Sequence, residues 1–280
     1  MRIAPDDPFM FNPSGIHMIS SAHTASQQRF HTALMTMAFA AIGLTILFPL
    51  LAPLLPHIPT SGHSHVHAHG HAFIDARSFV GIPNCMDVLS NLPFLLGGIW
   101  GLITLHRVKQ VAAPLQNAAR VFFIGLICTC LGSSFYHWAP SDAGLMIDRL
   151  GMAIAFAGII SLAAGSRLGA AVSERATPVL LLLAPLAAIA AYTLHNVLPW
   201  AIVQFGGMAL IVWLSCLPRS KQIPSMHLGA LIALYALAKL FEAQDAPIFE
   251  LTQGVISGHS LKHLAASLAA VPVILALRKS

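Results

Sequence analysis

Two histidines, His259 and His263, stand four residues apart in "SGHSLKHLAAS", at the start of an otherwise apolar stretch. Residues at i and i+4 share one helix face, so this pair can offer two imidazoles to one ion. A second pair at the same spacing, Ser133 and His137, falls in "GSSFYHW", and Asp148 follows in "MIDRLGM". Ionisable groups within apolar segments cost free energy unless something compensates them. Three neutral imidazoles with a fourth position left open fit a catalytic zinc site, where water becomes a nucleophile near neutral pH. Asp148 could then hold and deprotonate that water as general base, and Ser133 could donate to the oxyanion formed on an attacked carbonyl. Plainer readings stand beside these. The histidines could bond to neighbouring helices, Ser133 to its own helix backbone, and Asp148 could be neutralised by Arg149.

The elements that must position these residues follow from composition. The chain has 280 residues, 56% hydrophobic and 9% charged, with a mean hydropathy of +0.75. A soluble domain carries about 25% charged residues, so the expected class is an all-α polytopic membrane protein. Eight spans are predicted, at 32–55, 86–105, 120–138, 145–165, 177–195, 198–217, 226–242 and 253–277. Turn-rich stretches separate them, including "APSDAG", "SRLGAAVSERATP" and "PRSKQIPS". The expected organisation is an N-terminal cytoplasmic segment 1–31, an extra N-terminal helix 32–55, an outer loop 56–84 and a seven-helix membrane domain 85–280. The apolar run of the first span exceeds the roughly 7–15 residues of a signal-peptide core, so it is expected to remain uncleaved. Four cysteines, Cys85, Cys128, Cys130 and Cys216, show no disulfide or metal-binding spacing.

The net charge of +5 reflects topology rather than nucleic-acid binding. With the N-terminus inside, the inner loops hold Arg107, Lys109, Arg120, Arg167, Arg175, Arg219, Lys221, Arg278 and Lys279. Only Arg77, Arg149, Lys239 and Lys262 fall towards the outer side. The positive-inside rule therefore predicts cytoplasmic N- and C-termini. Acidic residues such as Asp87, Asp148, Glu242 and Asp245 then lie towards the outer face. His137, Asp148, His259 and His263 come to one depth, in the outer halves of their spans.

At this point "GSSFYHW", "MIDRLGM" and "SGHSLKHLAA" resemble the S-x3-H, D and H-x3-H motifs of the alkaline ceramidases. These belong to a wider superfamily of seven-span membrane hydrolases that includes the adiponectin and progestin receptors. "IPNCMDVLSNLPFLLGGIWGL" is similar to that family's first core span, which carries an S-N-L stretch. The resemblance covers roughly residues 75–278. It implies a seven-helix transmembrane hydrolase core, here with one extra N-terminal helix, and a Zn2+ ion ligated by His137, His259 and His263. Ser133 and Asp148 would complete the catalytic set. The substrate would be a ceramide-like lipid entering from the bilayer, cleaved at its N-acyl amide to a fatty acid and a sphingoid base. Animal alkaline ceramidases also carry an acidic calcium-binding stretch before the first core span. Here Asp75, Asn84 and Asp87 offer some oxygens, but the Trp–x–Glu pattern is absent, and no calcium site is expected.

Two other functions stay open. The alternating histidines of "GHSHVHAHGHAF", His63 to His71, suit loose binding of zinc, nickel or copper; the tract could capture metal for the membrane site, be a solvated loop or, with the membrane histidines, serve a divalent-metal transporter. A transporter would need polar groups continuing into the inner halves of the spans, which offer almost none. The third function is a receptor-like protein that keeps zinc for stability. Glu242 and Asp245 read as a solvated interface, Lys262 as a side chain reaching the interface or pairing with an acid, and Trp138 and Trp200 as an interfacial aromatic belt.

Overall fold

The computed structural model describes residues 24–38, 40, 73–108, 110–218 and 226–279. The His63–His71 tract and most of the predicted first span lie outside the described residues. Among these residues the secondary structure is helical, with one isolated bridge between Phe79 and Ile82, as expected of an all-α polytopic membrane protein. Helix α1 covers 24–38 and places Phe30 and Leu34 in the main core. Gln27 Nε2 donates to the carbonyl of Leu168, tying α1 to the bundle.

Seven helical passes follow. The first joins α2 (Cys85–Leu89) to α3 (Leu92–Arg107), with Pro93 in the first turn of α3. Then come α4 (Ala113–Trp138), α5 (Asp142–Leu168) and α6 (Ala170–Thr193). The fifth pass combines α7 (Leu198–Ala201), one π-helical turn (Ile202–Gly206) and α8 (Gly207–Ser215). The sixth is α9 (Leu228–Ala243), followed by the short α10 (Asp245–Leu251). The seventh is α11 (Gly258–Ser267) continued by α12 (Ala270–Arg278). Six of the seven passes are long and apolar enough to cross a membrane; α9, with 16 residues, is the shorter one.

The helices differ from the predicted spans mainly at their ends. "SRLGAAVSERATP" is not a connecting turn: only Gly169 stands between α5 and α6, with φ 107° and ψ 156°. Ala, Arg and Glu are good helix formers, so the polar run marks where a helix leaves its apolar layer, not where its backbone stops. The last pass begins at Gly258 rather than 253, because 252–255 turn and bend and Ser257 caps α11, its Oγ accepting from Ser260 N at 3.0 Å. Trp200 is not part of a surface belt. It is buried with Ala153, Ala184 and Ala188 and meets Phe156 edge-on.

Close approach of α4 and α5 organises the bundle. Lipid gives little hydrophobic drive for helices to associate, so backbones meet through small residues. Gly125 and Gly132 on α4 face α5, and Gly151 and Gly158 on α5 face α4. An added Cβ would lie 2.2 Å from Ala155 N at Gly125, 2.6 Å from Ile147 O at Gly132, 2.6 Å from Cys128 O at Gly151 and 2.2 Å from Phe122 N at Gly158. These are backbone collisions that no rotamer change relieves. Successive passes alternate in direction, so the end of α4 and the starts of α2, α5 and α11 meet at one end of the bundle.

Candidate metal centre

His137 and His263 are buried, at 1% and 5% exposure, and His259 is half-buried. At that exposure water cannot compensate the imidazoles, so their partners must. His137 Nε2 and His259 Nε2 lie 3.2 Å apart, and one ligand atom from each of the three rings falls within 4.8 Å of the others. The three rings meet edge to face, with centroids 4.8–5.1 Å apart. Two nitrogen ligands on a tetrahedral cation at about 2.0–2.1 Å stand about 3.3 Å apart. The close pair already has that edge, and the third ring must draw in. His137, His259 and His263 therefore suit one metal ion.

Two different supports hold these rings. His137 ends α4, and its place follows from the glycine contacts. At Gly132 an added Cβ would also meet Asp148 Cα at 3.2 Å, so the bare backbone there brings Asp148 of α5 beside Ser133 of α4. Ser133 is buried at this helix contact, directly after Gly132 on α4. Ser141 caps the start of α5, accepting from Gly144 N at 3.0 Å. Phe73 packs edge-on against His137 and His259, with centroids 4.7 and 5.9 Å away.

The other two rings rest on hydrogen bonds. Gly258 lets the start of α11 approach the end of α9; an added Cβ would lie 2.2 Å from Phe241 O. Asp245 Oδ1 accepts from His259 N at 2.7 Å. Glu242 bridges Lys239 at 2.6 Å and Lys262 at 3.1 Å, and Lys262 Nζ lies 3.4 Å from His259 Nδ1. Glu242, its side chain still 39% exposed, and Asp245 thus connect a partly solvated rim to the histidine helix, and Lys262 takes the acidic partner.

Three residues not assigned to the site from sequence also bear on it. Asn84 Nδ2 donates to the carbonyl of His137 at 2.8 Å. Asp87, 1% exposed, accepts from Ser260 Oγ at 2.7 Å and Ser257 Oγ at 3.4 Å. Ser90 Oγ lies 2.8 Å from His263 Nδ1. Asn84, Asp87 and Ser90 recur every third residue around α2, a helical spacing that puts them on one face. That spacing is the signal available in the sequence. Of the oxygens considered for calcium, Asp75 pairs with Arg77 at 2.6 Å, and Asn84 and Asp87 have the partners just given.

Ser133, His137, Asp148, His259 and His263 thus lie at one end of the bundle, the three imidazoles clustered together and Asp148 across the α4–α5 contact beside Ser133. The four cysteines are free and take no part. Comparison of the chain with family models, curated proteins and solved structures finds no match.

Proposed function

We propose that this chain is a zinc-dependent intramembrane hydrolase that cleaves the N-acyl amide of ceramide-like lipids. The observation that carries the reading is the meeting of three imidazoles from α4 and α11 at the end of the bundle where the α4–α5 contact also brings Asp148 beside Ser133. Three nitrogen ligands and an open position favour zinc among common divalent ions. Bound zinc would supply Lewis acidity and make a water nucleophilic near neutral pH. The amide class is supported by the neighbouring base and hydroxyl donor. The ceramide class rests on the likeness of the three motifs to the alkaline ceramidases. The gathering of most Arg and Lys at the opposite ends of the helices supports an outer-leaflet site with both termini cytoplasmic.

The chain's own residues then divide the work. A lipid enters sideways between helices and lays its amide carbonyl beside Ser133. The Ser133 hydroxyl donates to the carbonyl oxygen as charge develops there. Asp148 orients a water and accepts its proton while the water oxygen bonds to the carbonyl carbon. Asp148 returns the proton to the amine nitrogen as the C–N bond breaks, leaving a fatty acid and a free amine.

Metal analysis of the purified protein, paired with a hydrolysis screen of N-acyl and O-acyl lipids, tests this reading. The expected result is one zinc per chain and release of fatty acid from N-acyl lipids. Absence of stoichiometric zinc would overturn the metal centre. Zinc without hydrolysis would leave a metal-stabilised membrane protein and remove the enzyme.

A further inference from the structure

His263 has two nitrogens, and only one can face the other rings. Its Nδ1 lies 2.8 Å from Ser90 Oγ, and Ser90 Oγ lies 3.0 Å from the backbone carbonyl of Asp87. A serine hydroxyl has one proton and a carbonyl has none. Both contacts are hydrogen bonds only if the proton of Ser90 goes to Asp87 O and Nδ1–H donates to Ser90 Oγ. The reverse assignment leaves two oxygens at 3.0 Å with no hydrogen between them. It would also aim an N–H from His263 into the cluster. Asp87 O is held in place by Asn91 Nδ2 at 2.9 Å, and Ser90 and Asn91 are both buried.

Resting on the metal-centre reading above, we propose that Ser90 is a positioning residue that fixes His263 as the Nδ1–H tautomer and so presents its Nε2 lone pair to the metal. Ser90 stands 173 residues before His263, so α2 carries information for a ligand on α11. A hydrogen-bonded partner on the outer nitrogen orients a ligating imidazole and raises its basicity, and losing one costs about 10–100-fold in metal affinity.

The test uses the full-length protein with 15N-labelled histidine, first without metal and then with zinc alone. Long-range 1H–15N correlation should show His263, assigned from the change on His263→Gln, with its proton on Nδ1. Ser90→Ala should lose that signature and weaken zinc binding about 10–100-fold in chelator competition. Ser90→Thr, which keeps the hydroxyl, should restore both. An Nε2–H tautomer in the unsubstituted protein would overturn the proposal, even if Ser90→Ala failed to fold. Unchanged zinc affinity in a folded Ser90→Ala protein would do the same. If the unsubstituted protein bound no zinc, the metal centre would fall, while the tautomer of His263 would still decide the role of Ser90.

Discussion

The two wings of the site share close glycine packing and differ in the hydrogen bonds added to it. On the α4–α5 wing, Ser133, His137 and Asp148 owe their places to glycines that let two backbones touch, with added Cβ atoms 2.2–2.6 Å from opposing backbone. On the α2–α11 wing one glycine, Gly258, does the same against α9, 2.2 Å from Phe241 O, and hydrogen bonds to Asp245, Ser90 and the Asp87–Ser257–Ser260 cluster are added to it. Close packing fixes where a residue stands, because a close-packed interface does not deform smoothly. It does not set how a ring is turned: His137 Nδ1 has no hydrogen-bond partner among the described residues. Hydrogen bonds in a low-dielectric interior set both rotation and proton position. Asn84 links the wings, binding the backbone of His137 from the segment that carries Asp87 and Ser90.

Substitutions that act on one wing at a time would sharpen this contrast. The largest effect is expected from replacing His137, His259 and His263 together with alanine, which takes ligands from both wings; zinc content should fall to background and amide hydrolysis with it. Normal hydrolysis by that protein would sink the metal-dependent reading. Next, Asp148→Asn should keep its zinc and lose turnover by about 10²–10⁴-fold, the usual contribution of a positioned acid–base group. Loss of zinc in that variant would make Asp148 a ligand rather than a base. Smaller again, Gly132→Ala must push Ile147 and Asp148 away from α4. Turnover should drop by about 10²-fold, the scale of a 1 Å misplacement, with zinc stoichiometry intact. If Gly132→Ala instead released zinc while Ser90→Ala did not, the division of labour between the wings would be reversed.

The histidine pair was legible because helical periodicity is local: four residues is one turn wherever the helix sits. His137 and Asp148 could be joined to it because alternating passes return to the same end of a bundle. The contacts of Asn84, Asp87 and Ser90 were not legible, since their partners lie 53 to 173 residues away and hydropathy carries no trace of such pairings. Their three-residue rhythm was visible but had no stated meaning without α11 beside it. Span ends were misjudged for a related reason. Hydropathy reports where lipid stops, whereas α5 and α6 run past that level to meet at Gly169. Trp200 was misplaced because an indole beside a helix start reads as interfacial until Phe156 and the alanines of α5 and α6 are seen to enclose it.

The α4–α5 hairpin has a consequence for biosynthesis. Only Ala139, Pro140 and Ser141 separate the two helices, so Ser133, His137 and Asp148 can enter the bilayer as one unit early in translation. His259 is encoded 122 residues after His137. At about 5–20 residues per second, the ribosome delivers it on the order of 10 s later. Until then the nascent chain holds a carboxylate, a hydroxyl and a lone imidazole in its membrane segments. If the three histidines hold a metal, that site is whole only once α11 docks on the α4–α5 hairpin, and metal binding would report that docking.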